Sequence, residues 1–165
     1  MTGWLGPVTL VAALLTTGLM AGLYYAFTIS VLPGLARAGD LAFVGAMRQI
    51  NRAILNGWFA IAFGGSALLT ALAAGLHLGD PAALPWILAA LVLYVSTLVV
   101  TFRVNVPLND ALDAAGDPEG RDPREVAAVR AAFEARWVRW NTYRTLACLL
   151  ALGCLAVAAL LRGGA

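Results

Sequence analysis

The last apolar segment of the chain begins with polar and aromatic residues on one helical face. Four of them follow one another at intervals of four, three and four, a spacing that brings side chains onto the same face of a helix: Trp137, Asn141, Arg144 and Cys148. The uncharged run after Arg144 has just 17 residues, the lower limit for crossing a bilayer, which places the guanidinium close to lipid. An ionisable group at that depth normally faces the bundle interior or a cavity. If such a cavity acts on a substrate, a cation and hydrogen-bond donors are what an anionic oxygen requires.

Other segments are expected to bring polar residues to the same level. About 20 helical residues counted from Pro85 reach the pair Arg103 and Asn105, so both are expected near the lipid boundary. The same groups also arise as orientation signals, aromatic belts and polar contacts between helices, so a purely structural role is an alternative. The candidates for a shared pocket are Trp137, Trp140, Asn141, Arg144, Arg103, Asn105, Asn109, Tyr24, Tyr25 and Asn51.

The rest of the sequence gives little support for metal or nucleotide chemistry. His77 is the single histidine and lies at the far end of the second span, whereas a metal site needs several converging donors. Cys148 and Cys154 are six residues apart on one helix and point in different directions, so they are not expected to form a dithiol pair. No G-x-S-x-G element, dinucleotide fingerprint or P-loop occurs. We therefore expect no metal and no cofactor.

Four uncharged apolar runs account for most of the 165 residues. Hydrophobic residues make up 61% of the chain, charged residues only 12%, and the mean hydropathy is +0.82, whereas soluble domains carry roughly 25% charged residues. Each run approaches the length of about 20 residues that a transmembrane helix needs. The sequence therefore predicts an all-α integral membrane protein, a single four-helix domain over residues 1–165 with spans at about 7–32, 53–78, 85–105 and 141–161.

Local signals predict where the first three helices end and begin. Pro33 and Gly34 are expected to stop the first helix, and Pro107 is expected to kink or stop the third. Asp40 is expected to cap a helix that runs through Phe43, Met47, Ile50 and Ile54 straight into the second span.

The last helix has the clearest start signal. The segment 110–121 is rich in acidic residues, glycine and proline and is expected to be an exposed loop. Asp122 can then cap a helix with Pro123 at its first position and Glu125 in its first turn. This helix is predicted to run to about residue 161 and to extend into the cytoplasm before it enters lipid.

The distribution of cations predicts the orientation in the membrane. All eleven cations are arginines, and ten of them lie in or beside two of the three connections. Because positive residues are retained on the cytoplasmic side, loops 33–52 and 106–140 are expected in the cytoplasm and both termini outside. The absence of lysine indicates a GC-rich, bacterial genome, and hence a multi-pass protein of the bacterial plasma (inner) membrane. Topology explains the arginines, which give no support for a nucleic-acid partner.

Several strings resemble a known family. GLYYAFTISVLPGL, FVGAMRQINRAILN, TFRVNVPLND and RAAFEARWVRWNTYRT are similar, in order and over almost the whole chain, to the anthrone oxygenase-like family of small membrane proteins. The most specific elements are Asn-Val-Pro-Leu-Asn at 105–109 and Arg-Trp-x-x-Trp-Asn-x-x-Arg at 136–144. The resemblance implies a four-helix membrane fold. In fungal and some bacterial polyketide pathways, members oxidise an anthrone to an anthraquinone with molecular oxygen, while many bacterial relatives have no assigned substrate.

With no cofactor site in the sequence, the route left for an oxygenase of this kind is direct reaction of a deprotonated phenolic or enolic ring with O2. The protein would then need a cation and hydrogen-bond donors for the oxyanion, flat apolar walls and a proton acceptor, for which Tyr24 and Tyr25 are candidates. The partners would be the lipid bilayer, a hydrophobic aromatic molecule and O2. We assign catalysis to Arg144, Asn141 and Asn105, and substrate binding to Trp137, Trp140, Asn109, Arg103, Tyr24, Tyr25 and Asn51.

Two other classes of function stay open at this point. The same pocket could belong to a non-catalytic membrane protein that binds a small molecule, or the polar cluster could serve only packing and topology. The pattern Gly18-x-x-x-Gly22 lets helix backbones approach closely, either within the bundle or between copies in a homo-oligomer.

Overall fold

The computed structural model describes residues 4–163, and all regular structure in them is helical. The helices are listed here once with their bounds: α1 Leu5–Ala26, α2 Leu32–Ala36, α3 Asp40–Ala53, α4 Gly57–Leu76, α5 Leu84–Val100, α6 Val106–Ala114 and α7 Pro123–Gly163. Two π-helical turns, Phe27–Val31 and Thr101–Asn105, join α1 to α2 and α5 to α6. The described residues therefore form five continuous helical segments, of which α3 is one and the other four are long.

Four helices are long and apolar enough to cross a membrane: Leu5–Ala36, Gly57–Leu76, Leu84–Ala114 and Pro123–Arg162. Their outward faces carry many exposed large hydrophobic side chains, which in a bilayer contact lipid. The predicted fold class, an all-α integral membrane four-helix bundle, is confirmed.

The spans form a ring in which each helix contacts its two neighbours. α1 packs between α4 and α7, and α5 packs between the same two helices on the opposite side. Small residues let the backbones approach closely where lipid offers no hydrophobic driving force. The alanines that are fully buried at these contacts include Ala13, Ala73, Ala90, Ala151 and Ala158.

Pro33 does not stop the first helix, contrary to the prediction. The chain passes through the π-helical turn Phe27–Val31 and continues as α2 to Ala36. The N–H of Leu32 donates to the carbonyl oxygen of Phe27, five residues back. A proline ring clashes with the carbonyl four residues before it, and one extra residue per turn gives the helix room to continue.

Pro107 is accommodated in the same way. The turn Thr101–Asn105 is π-helical, and the N–H of Val106 donates to the carbonyl oxygen of Thr101. The helix continues to Ala114, so residues 110–114 are helical and the predicted loop at 110–121 shrinks to 115–122. The two π-helical turns lie at matching positions of the first and third spans.

The prediction that α3 continues straight into the second span is wrong. The chain breaks at residues 54–56, and the Asn56 side chain accepts a hydrogen bond from the N–H of Phe59 at 3.1 Å. Gly39, at a φ of 84°, precedes α3, so Asp40 is the first helical residue rather than the cap. The Asp40 carboxylate instead binds Arg130 of α7 at 2.9 Å.

α7 starts where the sequence predicts. The Asp122 carboxylate accepts a hydrogen bond from the N–H of Arg124 at 2.8 Å, and the helix continues for 41 residues to Gly163, a length of about 60 Å. Its first half packs against α3 and α6. A separate hydrophobic core holds this end of the molecule together, built by Leu32, Phe43, Val44, Met47, Leu112, Val126, Phe133 and Trp137.

A polar cluster closes the opposite end of the bundle, where residue 4 and residue 163 lie. The buried His77 contacts the Ala73 carbonyl oxygen through Nδ1 at 2.7 Å and Arg162 through Nε2 at 2.7 Å. Asp80 lies 3.5 Å from Arg162 and accepts hydrogen bonds from the N–H groups of Ala83 and Ala82 ahead of α5.

Because of Asp80, we expect this end of the bundle to become less stable as the pH falls. The hydrogen bond from the N–H of Ala83 holds the pKa of its carboxyl below the usual value, with further lowering by Arg162. Because the folded-state pKa is lowered, the stabilisation is present above a pH of about 4 and is lost as the pH falls below it. Melting in detergent between pH 7 and pH 3 should show a smaller acid-induced fall for Asp80→Asn than for the wild type. Equal falls in both would contradict the assignment.

Candidate functional site

A cavity of about 260 Å³ lies at the end of the bundle that carries α2, α3 and α6, just below the roughly 300–1,000 Å³ of typical small-molecule sites. Residues from every span and from α3 line it. The lining residues from α1 to α4 are Leu23, Tyr24, Phe27, Arg48, Ile50, Asn51, Arg52, Ile54, Leu55, Phe59 and Phe63. Those from α5 to α7 are Thr101, Phe102, Asn105, Val106, Asn109, Asp110, Asp113, Trp137, Asn141 and Arg144.

Arg144 supplies a buried cation to this cavity. Only 5% of the residue is exposed, and it donates hydrogen bonds to the hydroxyl of Thr101 at 3.1 Å and the carboxamide oxygen of Asn141 at 2.9 Å. Its guanidinium carbon lies 4.5 Å from the ring centre of Tyr24 and 5.3 Å from that of Trp137. The fork is thus fixed between two aromatic faces.

The charge of Arg144 lacks a protein counter-ion. Between residues 4 and 163 no carboxylate forms a salt bridge with it, and its Nε has no hydrogen-bond partner. Neutral hydroxyl and amide oxygens and two π faces compensate the buried charge only in part. The arrangement therefore favours a ligand that brings a negative charge to the cavity.

Asn141 holds Arg144 in place. Its carboxamide nitrogen donates to the Tyr24 carbonyl oxygen at 3.1 Å and to the Thr28 hydroxyl at 3.0 Å, which leaves its oxygen for Arg144. Thr28 lies in the first π-helical turn and also contacts the hydroxyl of Thr145 at 2.9 Å. Because each of its amide atoms has a defined partner, the orientation of Asn141 is fixed.

Asn105 contrasts with Asn141, since neither polar atom of its carboxamide has a partner although only 1% of the residue is exposed. It is the last residue of the second π-helical turn and lines the cavity. The buried hydroxyl of Tyr24 also has no partner with hydrogen-bond geometry in residues 4–163, although the side chains of Thr101 and Arg144 lie near it. Buried polar groups are normally hydrogen-bonded, so these atoms are candidates for binding a polar ligand.

Trp137 forms a flat wall of the cavity. Its indole N–H donates to the carboxamide oxygen of Asn109 at 2.8 Å. Its ring lies 5.7 Å from that of Phe27 and 6.0 Å from that of Phe133, and these contacts fix its orientation.

Three phenylalanines form the wall between α4 and α5. The rings of Phe59 and Phe63 stack with centres 5.0 Å apart, and Phe102 meets Phe63 edge-on at 5.9 Å. Phe102 lines the cavity and is also 61% exposed. The cavity is therefore separated from the lateral surface of the bundle by a single layer of aromatic side chains.

Seven of the ten candidate residues lie together at the cavity. Arg103 and Tyr25 are exposed and do not line the cavity. Arg103 is two residues before the inward-facing Asn105, and Tyr25 is one residue after the inward-facing Tyr24, so both side chains point in other directions. Trp140 is half-buried and packs against Tyr143 outside the cavity. The seven that line it are Tyr24, Asn51, Asn105, Asn109, Trp137, Asn141 and Arg144.

Sequence reasoning did not single out Arg48, Thr101 or Thr28 for the site. Arg48 was assigned to the orientation signal, although it is only three residues before Asn51 and so shares a helical face with it. Threonine in an apolar helix commonly bonds its own backbone, so no signal distinguished Thr28 and Thr101 from other threonines in the spans. The π-helical turns that direct both threonines inward were not foreseen.

The fold and site together define a small integral membrane protein of four helices with a cationic, aromatic-walled cavity. The model of the anthrone oxygenase family matches residues 52–154, from the end of α3 to the second half of α7, and the chain belongs to this family. The match includes both sequence elements at 105–109 and 136–144. No curated protein and no solved structure matches the chain significantly.

Proposed function

We propose that the protein oxidises a polycyclic phenolic or anthrone-type substrate with O2 and without a cofactor. Membership of the anthrone oxygenase family supports the class of reaction. The observation that carries the proposal is the buried guanidinium of Arg144, which lies between two aromatic rings in a cavity and has no carboxylate partner in residues 4–163. Such a group favours the ionised form of an aromatic hydroxyl over the neutral form.

The ionised substrate supplies the electrons. Loss of one proton from an anthrone gives an enolate delocalised over the rings, and this anion transfers an electron to O2. Combination of the resulting pair forms a carbon–oxygen bond at the carbon opposite the ring oxygen, giving a peroxide that takes up a proton. Cleavage of its O–O bond with loss of the second hydrogen of that carbon gives the quinone carbonyl and water. One anthrone and one O2 thus yield one anthraquinone and one H2O.

The cavity residues have distinct roles in this scheme. Arg144 binds the ring oxygen while it carries negative charge, and Asn141 positions Arg144. Asn105 and the Tyr24 hydroxyl donate to the ring oxygen or the peroxide, because their polar atoms are free to do so. Trp137 provides a flat face against which the rings lie. We assign the proton acceptor to Asp110, an exposed carboxylate at the rim of the cavity.

We also propose a location for the cavity in the membrane. With the arginine-rich connections in the cytoplasm and both termini outside, the cavity lies at the level of the inner leaflet of a bacterial plasma membrane. Phe102, which is 61% exposed, then faces the acyl chains, where a hydrophobic aromatic molecule concentrates, and Phe59 and Phe63 lie behind it. The substrate reaches Arg144 from the bilayer, and O2, which is also apolar, follows the same route.

Purified protein in nanodiscs tests the proposal. With an anthrone as substrate, after treatment with a chelator, we expect one O2 consumed for each anthraquinone formed, at a rate well above the uncatalysed rate. Ligand binding without oxygen uptake would contradict the oxygenase and identify a non-catalytic binding protein. Neither binding nor uptake across a panel of hydroxylated polycyclic compounds would leave the cavity a structural feature and refute the proposal.

A further inference from the structure

Arg48 is a second buried cation of the cavity that the proposed reaction does not use. Only 6% of the residue is exposed, and it reaches the cavity from α3, whereas Arg144 reaches it from α7. Asn51, one helical turn further along α3, lines the same part of the wall. The Nε of Arg48 and the carboxamide nitrogen of Asn51 are buried and have no hydrogen-bond partner in residues 4–163. Two donors from one helix face therefore point to a ligand.

The carboxylate nearest to Arg48 is that of Asp113, which is hydrogen-bonded to Arg52. Asp113 Oδ1 lies 3.6 Å from the Nε of Arg48, beyond hydrogen-bond distance. The same oxygen accepts a hydrogen bond from the Nε of Arg52 at 2.8 Å and lies 2.7 Å from its Nη2. Arg48 thus has an ion-pair neighbour in Asp113, which it shares with Arg52, but no hydrogen-bond partner at its Nε in residues 4–163.

The cavity as a whole carries more positive than negative charge. Three guanidinium groups line it, from Arg48, Arg52 and Arg144, against the two carboxylates of Asp110 and Asp113. The excess is therefore one positive charge, and Asp113, the carboxylate nearest to Arg48, is hydrogen-bonded to Arg52. A ligand that satisfies Arg144 alone leaves the Nε of Arg48 and the amide nitrogen of Asn51 without a hydrogen-bond partner in residues 4–163.

We propose that Arg48 and Asn51 form a second oxygen-binding subsite that takes a carboxylate carried by the polycyclic ligand. The inference rests on the proposed function and names its substrate class: an aromatic acid whose ring oxygen meets Arg144 while its carboxylate meets Arg48. The free Nε edge of a guanidinium matches the two oxygens of a carboxylate, and the Asn51 amide adds a donor. The aromatic rings occupy the apolar part of the cavity between the two cations.

Binding of two quinones that cannot be turned over tests the subsite. Anthraquinone-2-carboxylate and its neutral carboxamide have nearly the same shape, and their affinities can be measured by calorimetry in nanodiscs of zwitterionic lipid. We expect the wild type to bind the carboxylate roughly tenfold to a hundredfold more tightly, because its charge meets Arg48. Arg48→Gln is expected to abolish this preference while it leaves carboxamide affinity within about threefold. Equal affinities of the wild type for the two quinones would overturn the subsite, whether or not the variant folds.

A control variant removes an arginine that does not line the cavity. Arg103 is exposed and does not line the cavity, so Arg103→Gln is expected to keep the carboxylate preference of the wild type. A preference lost equally in both variants would mean that general charge attraction is responsible, and the subsite would be refuted. Nanodiscs with anionic lipid separate the substrate carboxylate from a lipid phosphate: unchanged affinity supports the substrate, and strong competition assigns Arg48 to lipid instead.

The binding test does not depend on turnover, so the subsite and the oxygenase proposal can be contradicted separately. A carboxylate preference without oxygen uptake would support the subsite and contradict the oxygenase. Oxygen uptake without any carboxylate preference would contradict the subsite alone.

Discussion

Replacing Arg144 with methionine is expected to lower kcat/KM for an anthrone roughly a thousandfold. The methionine side chain fills similar apolar space but carries no charge, so the ionised ring oxygen loses both the cation and its hydrogen-bond donors. The guanidinium carbon lies 4.5 and 5.3 Å from the ring centres of Tyr24 and Trp137, and neither ring can replace its charge. Oxygen uptake in nanodiscs, measured over a range of substrate concentrations, gives the effect.

The stability of the same variant separates catalysis from packing. Removal of a buried charge that has no carboxylate partner relieves a desolvation penalty, while the partner atoms on Thr101 and Asn141 each lose a hydrogen bond. These effects oppose each other, and the free energy of unfolding is expected to change by less than about 2 kcal/mol. Arg144→Lys serves as a control that keeps the charge but cannot reach both partners with a planar fork. Full activity of Arg144→Met would contradict the role of the cation.

Asn105→Leu is expected to lower turnover about a hundredfold and to make the protein more stable. Leucine has nearly the same shape as asparagine, and it removes two buried polar atoms that have no hydrogen-bond partner in residues 4–163. Relief of that penalty should raise the free energy of unfolding by about 1–2 kcal/mol. Thermal melting and oxygen uptake on the same preparation measure both effects.

The identical change at Asn141 is the matched control. Its carboxamide makes three hydrogen bonds, to Tyr24, Thr28 and Arg144, so Asn141→Leu should lower stability by about 2–3 kcal/mol as well as activity. Both asparagines are buried and line one cavity, and they differ in whether the protein satisfies them. A loss of stability in Asn105→Leu as large as that in Asn141→Leu would show that Asn105 serves folding rather than a ligand.

The membrane spans and the polar face of α7 could be predicted because both depend on short-range patterns. Hydropathy and length identify the spans, and a spacing of four and three places Trp137, Asn141 and Arg144 together on any α-helix. The start of α7 at Pro123 was equally accessible, since the capping residue and the proline act locally. In these parts of the molecule, the local structure depends on residues within a single helix.

The π-helical turns and the position of α3 could not be predicted in this way. A proline after an apolar run is compatible with a stop, a kink or a widened turn, and only the packing of neighbouring helices decides among them. The break at residues 54–56 lets α3 leave the axis of α4, and this brings Arg48 to the cavity. The sequence predicted the level of Arg103, Tyr25 and Trp140 along the bundle. It could not predict the direction in which each side chain points.

The spectrum of a bound anthrone-type ligand, recorded without oxygen, tests most directly whether Arg144 holds the substrate as an anion. Ionised and neutral hydroxyanthrones absorb at different wavelengths, so a titration with pH reads the charge of the bound ligand. We expect the wild type to bind the ionised form at pH values at which the free ligand is neutral, and Arg144→Met to bind only the neutral form. A neutral ligand in the wild type, or an ionised ligand in the variant, would contradict this mechanism.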